Sequence, residues 1–283
     1  MIKEWISKYN PKNEDDTLSA LREIMHEVTL AGLSRTDFFE KAAFYGGTAL
    51  RIFHNLDRFS EDLDFSLLKE DLEFSLESYY NAVKIEFEAL GMKVNIKQKI
   101  KTVKTNIDSA FLKSETIWKE LVLEDINKQV GIQSNREIKI KIEIDRKPPL
   151  GFNTEEKLLL RPFSFYVKCF DLSSLFAGKM HALLFRKWKN RVKGRDWYDL
   201  EWYVKKGVPL NRKHFLKRAQ ETGDWNNKNI NAEQIRSLLI NKIKIVSFKN
   251  IKEDVMRFVK DDKSIQIWSP KYFNDLINNL KID

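Results

Sequence analysis

Phe44-Tyr45-Gly46-Gly47-Thr48-Ala49-Leu50, followed after a polar loop by Asp62-Leu63-Asp64-Phe65-Ser66-Leu67, is the stretch that decides the fold. The apolar run 42–45 predicts a short strand, and two glycines turn it into a short helix over 49–55. Downstream, Leu63, Phe65 and Leu67 alternate with Asp62, Asp64 and Ser66, the two-residue period of a strand. Residues i and i+2 of a strand face the same way, so both carboxylates project on one side while Leu63 and Phe65 enter the core. Two adjacent carboxylates repel unless a cation sits between them, and Mg2+ (or Mn2+) suits hard oxygen ligands and phosphates. Glycines between a strand and a helix start let backbone N–H groups approach an anion, and Thr48 adds a hydroxyl. In isolation, Asp-x-Asp is an exposed acidic strand face and Gly-Gly a tight turn. Their strand–turn–helix–strand order is what brings a phosphate cradle and a metal clamp to one sheet edge.

Outward from this stretch, Asp16 or Thr17 caps a helix running to about Leu33, and 74–90 reads as a helix stopped by Gly91. Segments 92–98 and 103–111 are strand-like, and 114–130 reads as a helix up to Gly131. Ile138, Ile140, Ile142 and Ile144 alternate with Lys139, Lys141, Glu143 and Asp145 in the cleanest strand of the chain, broken by Pro148-Pro149 and Gly151. From Asp171 the pattern changes to helices over about 171–192, 195–206, 211–222, 231–245, 248–260 and 270–281, several preceded by Asp or Asn caps. The expected fold class is α+β: a mixed sheet with flanking helices over 1–168, then an all-helical domain over 169–283.

Composition bounds the chemistry. The chain has 283 residues, one cysteine (Cys169) and four histidines (His26, His54, His181, His214). An intrachain disulfide, a Cys-rich zinc site and a Cys-Cys redox pair are therefore excluded. The first residues carry Glu4 and no apolar core of a secretory signal, and no apolar run is long enough for a membrane span, so a cytoplasmic protein without membrane partners is expected. The net charge is +9, split unevenly: residues 1–142 carry 21 basic and 24 acidic side chains, residues 143–283 carry 29 and 17. Within 179–218 there are 13 basic and 3 acidic residues. A solvated Lys-rich surface accounts for such a balance, and so does a footprint for phosphate-bearing partners. Acids in one half and bases in the other suggest metal chemistry in the first and polyanion binding in the second.

Gly46-Gly47-Thr48-Ala49-Leu50-Arg51 with Arg58-Phe59-Ser60-Glu61-Asp62-Leu63-Asp64-Phe65 resembles the signature of the AbiEii/MenT nucleotidyltransferase toxins, of the polymerase-beta-like nucleotidyltransferase superfamily. Gly178-Lys179-Met180-His181-Ala182 with Arg186, and Arg195-Asp196-Trp197-Tyr198-Asp199-Leu200, resemble its further motifs. The resemblance implies a nucleotidyltransferase-like α/β catalytic domain and a magnesium-dependent enzyme that transfers an NMP from an NTP to an acceptor. That acceptor is expected to be RNA, at the tRNA 3′ end. The system implied is a type IV-like toxin–antitoxin or phage-defence pair with a cognate antitoxin protein. Asp62 and Asp64 match metal-binding catalytic acids, Gly46, Gly47 and Thr48 the phosphate contact, Lys179 a triphosphate-holding lysine and Asp196 an acid needed for activity. Ser60 aligns with a serine modified in some members and, with Arg186, joins the nucleotide-binding set. Transfer onto a protein hydroxyl and a non-catalytic RNA- or partner-binding module are the alternatives.

The residues allow these roles and rival ones. Lys179 and Arg186, seven apart on a predicted helix, share a face. Asp196 beside Arg195 is suited to act as a base or to orient Lys179, whereas Asp199 is explained by the helix dipole alone. Glu143 and Asp145 share one face of the Ile-rich strand, and either completes a metal site; a charged outer sheet face is the competing explanation. His181 reads as a structural hydrogen-bonding residue and Cys169 as a small buried one. Trp188, Trp197, Tyr198, Trp202 and Tyr203, interleaved with Arg and Lys, are suited to stack bases but also to fill a helical core. Trp202 is expected inward, with Arg191 or Lys193 outward.

Overall fold

The computed structural model describes residues 2–98, 116–124, 138–186, 193–259 and 263–283. The chain divides into two compact units. One comprises 1–49, 61–148 and 155–169, the other 50–60, 149–154 and 170–283. The division falls at five places along the chain, the first of them inside a helix.

The first unit is built on a seven-stranded mixed sheet. Its strands are β1 (Ala42–Tyr45), β2 (Asp62–Leu67), β3 (Lys93–Gln98), β4 (Thr116–Glu124), β5 (Ile138–Asp145), β6 (Thr154–Leu159) and β7 (Phe165–Phe170), in the order β3-β4-β5-β2-β1-β7-β6. β2 and β5 run parallel, β1 and β2 antiparallel, and β1 and β7 parallel. The helices are α1 (Ile2–Ser7), α2 (Glu14–Ser34), α3 (Phe38–Lys41), α4 (Gly46–His54) and α5 (Tyr80–Ala89). In β5 the four isoleucines are buried while Lys139, Lys141, Glu143 and Asp145 reach solvent to varying degree, as the alternation predicts. α2 begins earlier than predicted. Asn13 is the cap, accepting from the Asp16 N–H at 2.8 Å, and Glu14, Asp15 and Asp16 occupy the first turn, where acids favour the helix dipole. Gly32 lets α2 and α5 pack backbone to backbone, since a Cβ there would lie 2.6 Å from the Cα of Val83.

Several elements differ from expectation. The predicted helix over 114–130 is strand β4 across 116–124; its remaining residues, like the segment 103–111, lie outside the described residues. Leu121, Val122 and Leu123 are buried in succession, so β4 lacks the alternation that marks a strand. Ladders to β3 and β5 satisfy its backbone on both sides, which overrides local helix propensity. The predicted helix 74–90 starts as a 3-10 turn at Glu77–Tyr79 before α5, and α4 begins at Gly46. Strands β6 and β7 were not anticipated, although Phe165, Val167 and Cys169 alternate inward against Tyr166 and Lys168.

The second unit is helical, with α6 (Leu172–Phe185), α7 (Gly194–Lys205), α8 (Arg212–Glu221), α9 (Ala232–Ile245), α10 (Phe248–Met256), α11 (Lys263–Gln266) and α12 (Pro270–Ile277). Side-chain caps set the starts: Asp171, Asn211, Ser247 and Ser269 each accept from a backbone N–H three residues on, and Asn231 forms a capping box with Gln234. The core is aromatic, with Trp197 edge-on to Phe273 and Phe176 stacked on Tyr203. α6 ends at Phe185 instead of continuing to 192; Arg186 is its C-cap, and 187–192 lie outside the described residues.

Buried histidines make stability depend on pH. Burial, with Arg218 adding repulsion, pushes His181 down to about 4 and His214 to about 3. Both stay neutral when folded, whereas in the unfolded chain they protonate below about 6.5. Their contribution is complete above that value and is lost as the pH falls towards 4, by about 2 kcal/mol each at pH 5. Glu27 acts oppositely, because burial raises its carboxyl to about 7. Urea unfolding at pH 7 and pH 5 checks the histidine contribution. Wild type should lose about 2 kcal/mol more than His214→Gln between the two conditions, Glu27 acting equally in both.

Candidate active site

In the first unit the glycine bend and the acidic strand meet. β1 pairs with β2 so that Tyr45 stands opposite Asp64, and the chain turns into α4 at the next residue. Gly46 has φ +86, in the left-handed region that favours glycine, and a Cβ on it would run into the Asp64 carboxylate. The bend is therefore open enough for the acid to lie against its backbone. Asp62 and Asp64 are half-exposed on one face of β2, with Leu63 and Phe65 buried on the other. Gly47 is buried.

The parallel ladder to β5 distinguishes the two candidate third acids. Lys141 stands beside Asp62, Glu143 beside Asp64 and Asp145 beside Ser66. Glu143 thus joins the acid pair on one face, whereas Asp145 sits one step further along the sheet. Glu143 is ion-paired to Lys141. Among the described residues, no three or more His, Cys, Asp or Glu stand in an arrangement ready to hold a metal ion. As a donor set, Asp62 and Asp64 with neighbouring Glu143 offer the hard oxygens a divalent cation takes, with Lys141 supplying positive charge in its place.

Thr48 is placed differently from the expected anion contact. It is 1% exposed, and its hydroxyl donates to the Asp62 backbone carbonyl, tying α4 to β2. Its hydroxyl proton is committed to the acid strand.

In the second unit a buried carboxylate gathers the cations. Asp199, wholly buried, accepts Arg58 Nε at 2.6 Å and Nη2 at 2.7 Å through its two oxygens, and Lys179 Nζ lies 2.9 Å from Oδ2. The two cations hold its carboxyl far below the usual range against the opposing effect of burial. The expectation that Asp196 orients Lys179 is corrected: Asp199 does so, while Asp196 stands 3.9 Å from Arg186 Nη1. Lys179 and Arg186 do not share a helix face, because α6 ends before Arg186. Lys193 is pushed down to about 8 by burial, with Arg186, Lys179 and Arg195 repelling its charge and Asp196 opposing them. Ser60 is half-exposed in the loop before β2.

Arg58 and Asp199 are the residues that sequence reasoning missed. An acid at 199 within the apolar stripe of Trp197, Leu200, Tyr203 and Val204 was the available signal that it lies inside and is paired. His181 is hydrogen-bonded to Thr222 Oγ1 at 3.0 Å, and Cys169 is buried. Of the aromatics, Trp197 and Tyr203 fill the core. Tyr198 and Trp202 instead line a cavity of about 390 Å³ with Arg51, Asp57, Glu201 and Lys205, so Trp202 is not packed inward. Trp188 and Arg191 lie outside the described residues. Among the described residues no helix is long and apolar enough to cross a membrane.

Residues 28–279 match the family model described as nucleotidyl transferase AbiEii toxin, type IV toxin–antitoxin system. No curated protein matches the chain in sequence. In structure the chain is similar to a protein from H. pylori assigned as a nucleotidyltransferase (TM-score 0.50, 17% identity, covering 92% of this chain and 91% of that one). MenT4, a nucleotidyltransferase toxin from Mycobacterium tuberculosis H37Rv, gives 0.48 at 17% identity over 92% and 74%. JHP933 from Helicobacter pylori gives 0.48 at 18% over 92% and 88%. At these identities the first likeness speaks for the fold alone.

The buried pair makes a stability prediction. Arg58→Met leaves Asp199 with Lys179 as its one cation of that pair, and should cost about 3–5 kcal/mol in urea unfolding. The double variant Arg58→Met/Asp199→Leu should recover part of that loss, since no uncompensated carboxylate then remains buried.

Proposed function

Because the chain belongs to the AbiEii nucleotidyltransferase toxin family and is therefore a nucleotidyltransferase, we propose that it transfers an NMP from an NTP to an RNA acceptor, the tRNA 3′ end. A toxin of this family works against a cognate antitoxin, and the NTP is its substrate. The observation that carries the reading is the Asp64 carboxylate lying against the side-chain-free bend at Gly46, with Asp62 on the same face.

In the transfer, an acceptor hydroxyl oxygen bonds to the α-phosphorus, the bond to the bridging β-phosphate oxygen breaks, pyrophosphate leaves, and the hydroxyl proton is lost. Asp62 and Asp64 would hold a divalent cation, Mg2+ or Mn2+, with Glu143 completing the set in exchange for its ion pair to Lys141. Bound there, the ion would neutralise charge building on the phosphate oxygens. The register of β5 favours Glu143 over Asp145 for this role. Backbone N–H groups at Gly46 and Gly47 offer donors to phosphate, and Ser60 a hydroxyl.

Lys179 is assigned to the triphosphate by its motif, and the buried Asp199 that holds its ammonium supports this, since a pre-oriented cation costs less to organise. Arg186 and Asp196 form a second, looser pair assigned to nucleotide binding and to activity in the same way. The basic excess of the C-terminal half suits a polyanionic acceptor. A tRNA acceptor supports a cytoplasmic location and a role in a toxin–antitoxin or phage-defence system.

Incubation with Mg2+, each labelled NTP and total RNA tests the reading. A labelled RNA of tRNA size is expected, and Asp64→Ala should lower the yield by about 100-fold or more. Glu143→Gln should cost at least about tenfold and Asp145→Asn much less. Equal labelling by wild type and Asp64→Ala sinks the assignment of the acids; a label removed by protease and not by nuclease identifies a protein acceptor.

A further inference from the structure

Two successive carbonyls at the head of the acidic strand are each gripped by a buried donor from a different helix. His26, wholly buried in α2, has Nε2 3.3 Å from the Glu61 carbonyl oxygen. A carbonyl oxygen only accepts, so Nε2 carries the proton and the ring is the Nε2–H tautomer. Nδ1 is then bare, and in the structure it is buried without a hydrogen-bond partner among the described residues. Burial also keeps the ring neutral, pushing it down to about 4. One residue later, the Thr48 hydroxyl of α4 donates to the Asp62 carbonyl.

These donors act where the β1 side of the ladder stops. The ladder between β1 and β2 ends with Tyr45 opposite Asp64, because the chain turns into α4 at Gly46. Glu61 and Asp62 lie beyond that last pair, so at Asp62 the ladder continues on the β5 side, opposite Lys141, and not on the β1 side. A strand end laddered on one side is held less firmly than one laddered on both, and a side-chain donor adds to its hold.

We propose that His26 and Thr48 form a clamp that fixes the backbone beneath Asp62 and thereby orients the Asp62/Asp64 pair for transfer. The clamp rests on the assignment of those two acids under the proposed function. Both members are positioning residues, acting through the Glu61 and Asp62 carbonyls and not on the nucleotide. Thr48 thus has a different role from the phosphate contact its motif suggests.

The test separates donor from volume. Thr48→Val keeps the shape and removes the donor; Thr48→Ser keeps the donor. His26→Leu removes the ring donor; His26→Gln places an amide N–H within similar reach. The Val and Leu variants should lower kcat by about 10- to 100-fold with KM for NTP within about threefold, because misplacement of reacting groups by an ångström costs that much. The Ser and Gln variants should retain kcat within about threefold. Amide hydrogen exchange over 62–67 should quicken in Val and Leu alone, and the imidazole nitrogen spectrum of the wild type should report the Nε2–H tautomer. Equal kcat for Thr48→Val and Thr48→Ser, or an Nδ1–H ring, overturns the clamp. If His26→Leu does not fold, the Thr48 pair decides. Full kcat in Val and Leu while Asp64→Ala is inactive refutes the clamp alone; full activity in Asp64→Ala removes the acid assignment and the catalytic role of the clamp with it.

Discussion

A carboxylate can rest against a peptide bend only where the bend has no side chain to exclude it. That steric condition, met by Gly46 at φ +86 against Asp64, governs how the first unit is built around its acids. It requires β1 to end at Tyr45, opposite Asp64, and α4 to begin at once. The turn then brings Thr48 under the Asp62 carbonyl. On the other side, the parallel pairing with β5 supplies Glu143 and Lys141 as neighbours. A few residues of bend thus determine which charges face each other.

The second unit depends on a different interaction. Asp199 is a fully buried carboxylate, which is costly unless its charge is matched and its lone pairs are satisfied. Arg58 does this in bidentate fashion and Lys179 adds a second cation, so one acid carries two bases. The surplus is positive. Lys179 is its more exposed member, its side chain 19% accessible against 2% for Arg58. A cation held by a buried partner meets an incoming anion already oriented, which is how such charge assists phosphate chemistry.

Where the sequence misled, burial on both faces or pairing across distance was the cause. The sequence of β4 reads as a helix because Leu121, Val122 and Leu123 are all apolar and leave no alternation to detect. Its identity comes from the ladders to β3 and β5, the strands on either side of it in the chain, which its own pattern does not show. Asp199 looked like an ordinary first-turn acid, since Arg58 is 141 residues away and nothing local announces the pair. Arg186 was set on the face of Lys179 by a helix that stops one residue too soon. By contrast, β2 and β5 are legible almost to the residue from alternation at a period of two, and β1 from a short apolar run ended by two glycines.

By itself, the sequence determined that Asp62 and Asp64 share a strand face, that glycines stand between a strand and a helix, and that the chain passes from a mixed sheet to helices. These follow from local rules, the two-residue period and the steric freedom of glycine, which act over a few neighbouring residues. Only the tertiary structure decided that Glu143 and not Asp145 stands beside Asp64, that Asp199 rather than Asp196 holds Lys179, and that His26 reaches the Glu61 carbonyl. Those are choices of register and of burial between segments far apart in the chain. A shift of two residues along β5 would exchange Glu143 for Asp145 while leaving every local pattern unchanged.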